Sequence, residues 1–285
     1  MAGLAASATP RAARRSRPPV LVLIAGLFMV VTLVLMVFGP LLTPYDPFRQ
    51  DLLLSASPPT GSHLLGTDQL GRDVLSQIVY AARIAIVGPI AVALGTVVLG
   101  GALGVLAGYR GGILDTLVNR FADLMYALPA LLVIIVIVGV VGGGYWFAIA
   151  VLAVLGIPSQ ARLCRSATMV QARMPYIESA RTLGLSSARI MTRHVLPTIM
   201  PTLIATFLLD FVIALISLSG LAYLGLGVPP GTPDWGSMLQ DGRNLLDTNP
   251  WLSLAPGVMI ALTATSVTLI GDWLYDRFSV TGDRA

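Results

Sequence analysis

The residues of this chain with chemistry to offer are few and far apart. Glu178 is the only glutamate in 285 residues, and it sits in a polar, basic stretch, Tyr176–Pro197 (YIESARTLGLSSARIMTRHVLP), flanked by apolar runs. Asp210 stands inside one of those runs, TLIATFLLDFVIALISLSG. Upstream, Gly66-Thr67-Asp68 and Gly71-Arg72-Asp73 crowd two acids, a base and a hydroxyl into one short segment. A carboxylate can take a proton, pair with a cation or cap a helix, but acid–base or nucleophilic catalysis needs a partner group within hydrogen-bond reach. No nucleophile–base pattern is evident, so no catalytic residue is assigned. All 18 basic residues are arginine. Without lysine there is no Walker P-loop and no Schiff-base chemistry. Cys164 is alone, which rules out an internal disulfide, and His63 and His194 lack Cys or His neighbours, so no metal site is expected.

The elements that must position these groups are membrane spans. The chain is 55% hydrophobic and only 11% charged, with a mean hydropathy of +0.82, whereas soluble domains carry about a quarter charged residues. A spanning helix needs about 20 mostly apolar residues. Six runs qualify: Val20–Leu42, Arg83–Tyr109, Phe121–Val141, Tyr145–Gln160, Ile199–Tyr223 and Leu252–Trp273, the fourth being short. The expected fold is all-α and polytopic. The first run follows Arg11, Arg14, Arg15 and Arg17. It exceeds the 7–15 apolar residues of a signal core and lacks a small-residue cleavage site, so it reads as a retained anchor rather than a secretory or twin-arginine signal.

Arginine asymmetry gives the orientation. With the N-terminus inside, fourteen arginines fall on inner segments, and only Arg49, Arg72, Arg83 and Arg243 fall outside. Both termini and the Tyr176–Pro197 loop are then cytoplasmic. The +4 formal charge belongs to the membrane surface and lipid, and does not indicate nucleic acid. The organisation expected is a cytoplasmic tail (1–19), a first span (20–42), an extracytoplasmic segment (43–82), a five-helix core (83–273) carrying the cytoplasmic loop 171–197, and a second tail (274–285). The outer segments are too short for a separate substrate-binding domain. No internal repeat is evident; inverted repeats would have pointed to a secondary transporter.

Local rules shape the polar loop. Pro175 suits the first helical position and Glu178 complements the first-turn dipole. Gly184 suits a left-handed stop after Leu183, Ser186 or Ser187 caps a second helix over Ala188–His194, and Pro197 breaks the chain before the fifth span. Ser179 and Ala180 are small enough to let another protein's groove approach. A solvated basic loop that merely fixes topology would read the same way. Upstream, Thr67 or Asp68 can cap a helix with Asp73 in its early turns, and Val74, Ile78 and Ala81 or Ala82 form one apolar face. Gly100, Gly104 and Gly108 form a smooth face for helix packing, within the chain or against a partner. A charge at the centre of a span costs about 2.5–3.5 kcal/mol on insertion scales, so Asp210 should face the bundle or a cavity, as a path or gate residue or as a packing acid.

The spacing Glu178-x-Ala180-xxx-Gly184, followed by Leu196-Pro197, resembles the EAA loop of ABC-importer permeases, with Ser179 in place of the middle alanine and His194 in place of an isoleucine. LGTDQLGRD at Leu65–Asp73 resembles the GTDxxGRD signature of the peptide/nickel branch, and DLMYALPALLV (Asp123–Val133) and LAYLGLG (Leu221–Gly227) match it too, in the same order, over about 260 residues. Leu218 stands where that branch commonly has an acid, Ala222-Tyr223 replaces Ser-Phe, and the ending reads GDWLYD (Gly271–Asp276).

The resemblance implies a type I importer permease fold and the C-type member of a permease pair. It implies a second, homologous permease as heterodimer partner, two ATPase subunits docking on Glu178, Ala180, Gly184, Leu196 and Pro197, and an extracytoplasmic binding protein that delivers di- or oligopeptides. ATP and Mg would be bound by the ATPase partners, with no cofactor on this chain. It leaves nickel or another small solute open as cargo. A proton-coupled secondary transporter using Asp210 is the reading from a different class.

Overall fold

The computed structural model describes residues 18–282, with side chains to residue 277; the arginines at 11, 14, 15, 17 and 284 lie outside the described residues. The described chain is helical apart from loops and one isolated bridge, between Thr67 and Asp73. In chain order the helices are α1 (Val20–Leu42), α2 (Val74–Arg110), α3 (Gly112–Tyr126), α4 (Ala130–Val141), α5 (Tyr145–Gln171), α6 (Pro175–Thr182), α7 (Ser187–Ile190), α8 (Leu196–Tyr223), α9 (Trp235–Gly242) and α10 (Trp251–Gly282). Among the described residues five continuous stretches are long and apolar enough to cross a membrane, and α3 with α4 makes a sixth as a pair bent by 80°.

The spans extend beyond the apolar runs, for identifiable reasons. The second helix starts at Val74, not Arg83, because Asp73 caps it by accepting from the Ser76 amide; Thr67 and Asp68 lie outside the helix. At 37 residues it is about 55 Å long, well over the ~30 Å hydrocarbon core. The fourth span continues to Gln171 because Arg162 and Arg165 find Asp123 and Asp115 on α3 as partners. The third span is broken at Ala127–Pro129; a proline disfavours helical backbone in the residue before it, and it supplies no N–H.

The core follows α2, which packs along α5 and α8, with α1 and α10 against its first half. The three glycines serve contacts within the chain. A Cβ on Gly100 would lie 2.9 Å from the Ile157 carbonyl, one on Gly108 2.6 Å from that of Arg165, and one on Gly104 would strike Ala161. Backbone therefore meets backbone along the α2–α5 crossing, as small residues permit in bilayers. The predicted face Val74, Ile78, Ala81 and Ala82 is buried, packed with Trp235, Met238 and Leu252 from the far end of the sequence.

Candidate functional site

At one end of the bundle the chain from Met174 to Pro197 folds as a helix, a glycine turn and a second helix. Pro175 is the first residue of α6 and Glu178 lies in its first turn. The stop is a Schellman motif: the Gly184 amide donates to Arg181 O (2.9 Å) and the Leu185 amide to Ala180 O (3.2 Å), with Gly184 at φ +80° and Leu185 folded against Ile177 and Ala180, the apolar contact that accompanies this cap. Ser186 caps α7 through the Arg189 amide.

Two expectations need correction. Pro197 does not break the chain. Residues Met191–Val195 form a wider, π-type turn, in which the Leu196 amide donates five residues back to Met191. The wider turn leaves the proline at the start of α8, where a missing N–H is tolerated, so loop and span form one stretch, Ser187–Tyr223. Ala180 does not offer its small side chain outward. It is buried with Ile177, Ile190 and Val195, so its size serves the loop's own packing. The exposed surface carries Glu178, Ser179, Pro197 and Leu183, the last 81% exposed. Leu183 was not singled out from the sequence, although an apolar residue before the stop glycine of a polar loop is a visible signal. Arg181 lies over the Tyr109 ring, 4.9 Å from its centroid, and ties the loop to the end of α2.

At the opposite end, the segment containing Gly66–Asp73 is a buried polar knot. Asp68 is 2% exposed and accepts from the amides of Leu70 and Arg72, from Arg72 Nε (2.6 Å) and from Gln77 Nε2 (3.0 Å). Asp73 holds Ser76 and pairs with His63 Nδ1 at 2.9 Å. Gly66 and Gly71 have positive φ, and a Cβ on either would strike backbone, at Ser57 and Asp51 respectively. Arg72 donates to Gly231 O, and Asn249 Nδ2 bridges the carbonyls of Ser57, Leu65 and Thr67. Arg72 and Thr67 therefore tie this segment to the loops around Gly231 and Asn249, while Asp68, Asp73 and the two glycines hold the segment itself in shape. Asn249 was missed; the Asn-Pro turn signal was its only trace. Within this cap Asp234 holds the first turn of α9, and burial pushes its carboxyl up to about 6 against the pull of the Ser237 and Gly236 amides.

Asp210 lies between these ends on α8. One turn before it, Thr206 accepts from Gln160 Nε2 (3.0 Å), which also reaches Cys164 Sγ (3.4 Å). Cys164 is buried in an apolar cluster. Asp210 is half-buried, and its Oδ2 is enclosed without a hydrogen-bond partner among the described residues. The structure does not bring Asp210 near either loop site.

Residues 100–280, which include the helix–glycine–helix loop and the span continuous with it, match the family model described as binding-protein-dependent transport system inner membrane component. The chain is 35% identical over 255 residues to the glutathione transport system permease protein GsiD of Pectobacterium atrosepticum, covering 88% of this chain and 84% of that one. It is 34% identical over 260 residues to the dipeptide transport system permease protein DppC of Haemophilus influenzae, covering 89% and 88%. To the oligopeptide transport system permease protein OppC of Bacillus subtilis it is 33% identical over 252 residues, covering 88% and 83%. With matches of this extent running through both ends of the bundle, the chain belongs to the family of inner-membrane components of binding-protein-dependent transport systems.

Proposed function

We propose that this chain is one of two permease subunits of an ATP-binding-cassette importer that carries di- or oligopeptides into the cytoplasm. The observation that carries this reading is the Met174–Pro197 loop: a rigid helix–glycine–helix knob that holds an exposed apolar residue and an acid away from the bundle and continues without a break into a span. Such a knob suits a groove on an ATPase subunit, with Glu178, Gly184, Leu196 and Pro197 setting the docking geometry. The orientation is the one the arginines favour, with both termini and this loop cytoplasmic and the Gly66–Asp73 cap facing the binding protein. ATP and Mg act on the partner subunits; this chain transports and does not catalyse. When ATP closes the ATPase dimer, the knob moves with it, and the spans shift between inward- and outward-facing states according to which state the bound partners favour. The cargo assignment rests on relatives named for dipeptide, oligopeptide and glutathione transport. Asp210, enclosed and unpaired on one oxygen, is assigned to the translocation path.

The test is purification of the tagged chain in mild detergent with ATPase activity followed in parallel. A second permease and an ATPase that co-purify, and are lost together when Glu178 and Gly184 are changed, support the reading. A lone chain that transports without ATP and responds to the proton gradient would replace it with a secondary transporter built on Asp210.

A further inference from the structure

At the capped end, a cavity of about 660 Å³ opens between α2, the start of α5 and the loop before α9. The volume is that of a small-molecule site, and such sites are mostly apolar with a few placed polar groups. Here Tyr145, Trp146 and Phe147 supply the aromatic part of the wall, Pro229 and Thr232 come from the loop before α9, and Arg83 is the cation on the lining. The Tyr145 hydroxyl donates to Ile84 O, which fixes the start of α5 against α2 beside Arg83. Arg83 is exposed and has no carboxylate or hydrogen-bond partner among the described residues. The nearby acid, Asp234, is buried and turned to the amides of its own helix, so it does not neutralise the guanidinium. Trp146 is 66% exposed, a large aromatic face left uncovered beside an unpaired cation.

We propose that this cavity is a receiving subsite in which Arg83 holds the C-terminal carboxylate of an arriving peptide and the aromatic wall takes its last side chain. The inference rests on the peptide reading above. A free carboxylate is common to peptides of any sequence, and a guanidinium can grip it with two parallel hydrogen bonds. The aromatic wall contributes area without demanding one side-chain shape. Arg83 therefore acts on every peptide, while Trp146 discriminates by the last residue.

The experiment reconstitutes the complete importer in proteoliposomes and measures ATP-driven uptake of alanyl-phenylalanine and alanyl-glycine, together with ATPase stimulation by the loaded binding protein. Arg83→Gln is expected to lower uptake of both peptides about tenfold, the scale of a lost charge-assisted hydrogen bond, with stimulation unchanged and Arg83→Lys recovering much of the loss. Trp146→Ala is expected to lower alanyl-phenylalanine uptake several-fold and to spare alanyl-glycine. Wild-type uptake by Arg83→Gln overturns the inference, as does a fall in stimulation matching the fall in uptake, which would make Arg83 a docking residue. A deficit that appears only in vesicles containing phosphatidylglycerol also overturns it, because Arg83 would then be a lipid anchor. If the wild-type importer responds to its binding protein but carries neither these dipeptides nor longer peptides ending in the same residues, the peptide reading falls and takes this inference with it.

Discussion

Replacing Gly184 tests the proposed coupling loop most directly, because the structure separates backbone strain from crowding. Gly184 sits at φ +80°, and a Cβ built on it would meet nothing within 4 Å. A side chain there is not obstructed; only the left-handed backbone is disfavoured. For an L-residue that costs about 1–2 kcal/mol, and a β-branched residue is a genuine outlier in this region whereas asparagine is tolerated. A penalty of this size reduces the population of the Schellman turn by a factor of about 5–30. When the turn opens, Leu185 leaves Ile177 and Ala180, and the orientation of the knob is lost. The expected order of coupling is Gly184 and Gly184→Asn high, Gly184→Ala intermediate, Gly184→Val lowest. The assay is substrate carried per ATP hydrolysed in proteoliposomes at matched assembly. Coupling by Gly184→Val equal to wild type, or a Gly184→Asn chain as poor as the valine variant, would refute the backbone argument.

Four further outcomes are expected. Leu183→Asp should weaken ATPase association by about tenfold or more, the scale of losing an apolar anchor, with the melting temperature of the isolated chain unchanged because Leu183 is exposed; co-purification at graded ATPase concentration reads this. Asp210→Asn should lower transport more than assembly, since the enclosed Oδ2 has no partner to lose; equal losses of uptake and assembled complex would make Asp210 structural. Gly104→Leu should lower the melting temperature in detergent, overpacking the α2–α5 crossing at a cost of about 1–3 kcal/mol, whereas Gly139→Ala, with open space around it, should not. For Asp234, folding raises the carboxyl from 3.8 to about 6, so the folded state holds its proton more tightly and stability falls as pH rises from about 4 through 6; Asp234→Asn keeps a capping side chain and should flatten thermal melts across that window.

The spans were legible because apolar length is a strong signal, and the turn at Gly184 because its neighbours left little alternative. Boundaries were not legible wherever polar side chains found partners across the bundle. Arg162 and Arg165 end an apolar run, yet with Asp123 and Asp115 beside them the helix continues. The role of the Gly66–Asp73 signature was hidden for the same reason: Arg72 and Asn249 act on residues about 160 to 190 positions away, and no local pattern records that. The small size of Ala180 does not say on which side of the helix a small residue is wanted, and here that side is the buried one. The Arg83 cavity draws on three separated segments, none of them unusual by itself.

The π-type turn at Met191–Val195 gives the motif's fixed spacing a meaning as an angle. A wider turn is equivalent to one residue more than a regular helix would use. Each residue of α-helix rotates the chain by about 100°. The wide turn fits its extra residue into about the same rotation and rise, so deleting one residue between Ile190 and Leu196 would restore a regular helix and leave α7 and the Gly184 knob aimed almost as before, whereas deleting one from the regular part of α8 would swing them about a third of the way around its axis. The wide turn is therefore a phase buffer: it lets the stretch between Glu178 and Pro197 hold one residue more while the exposed face of the loop keeps its aim relative to Asp210 and the rest of the span.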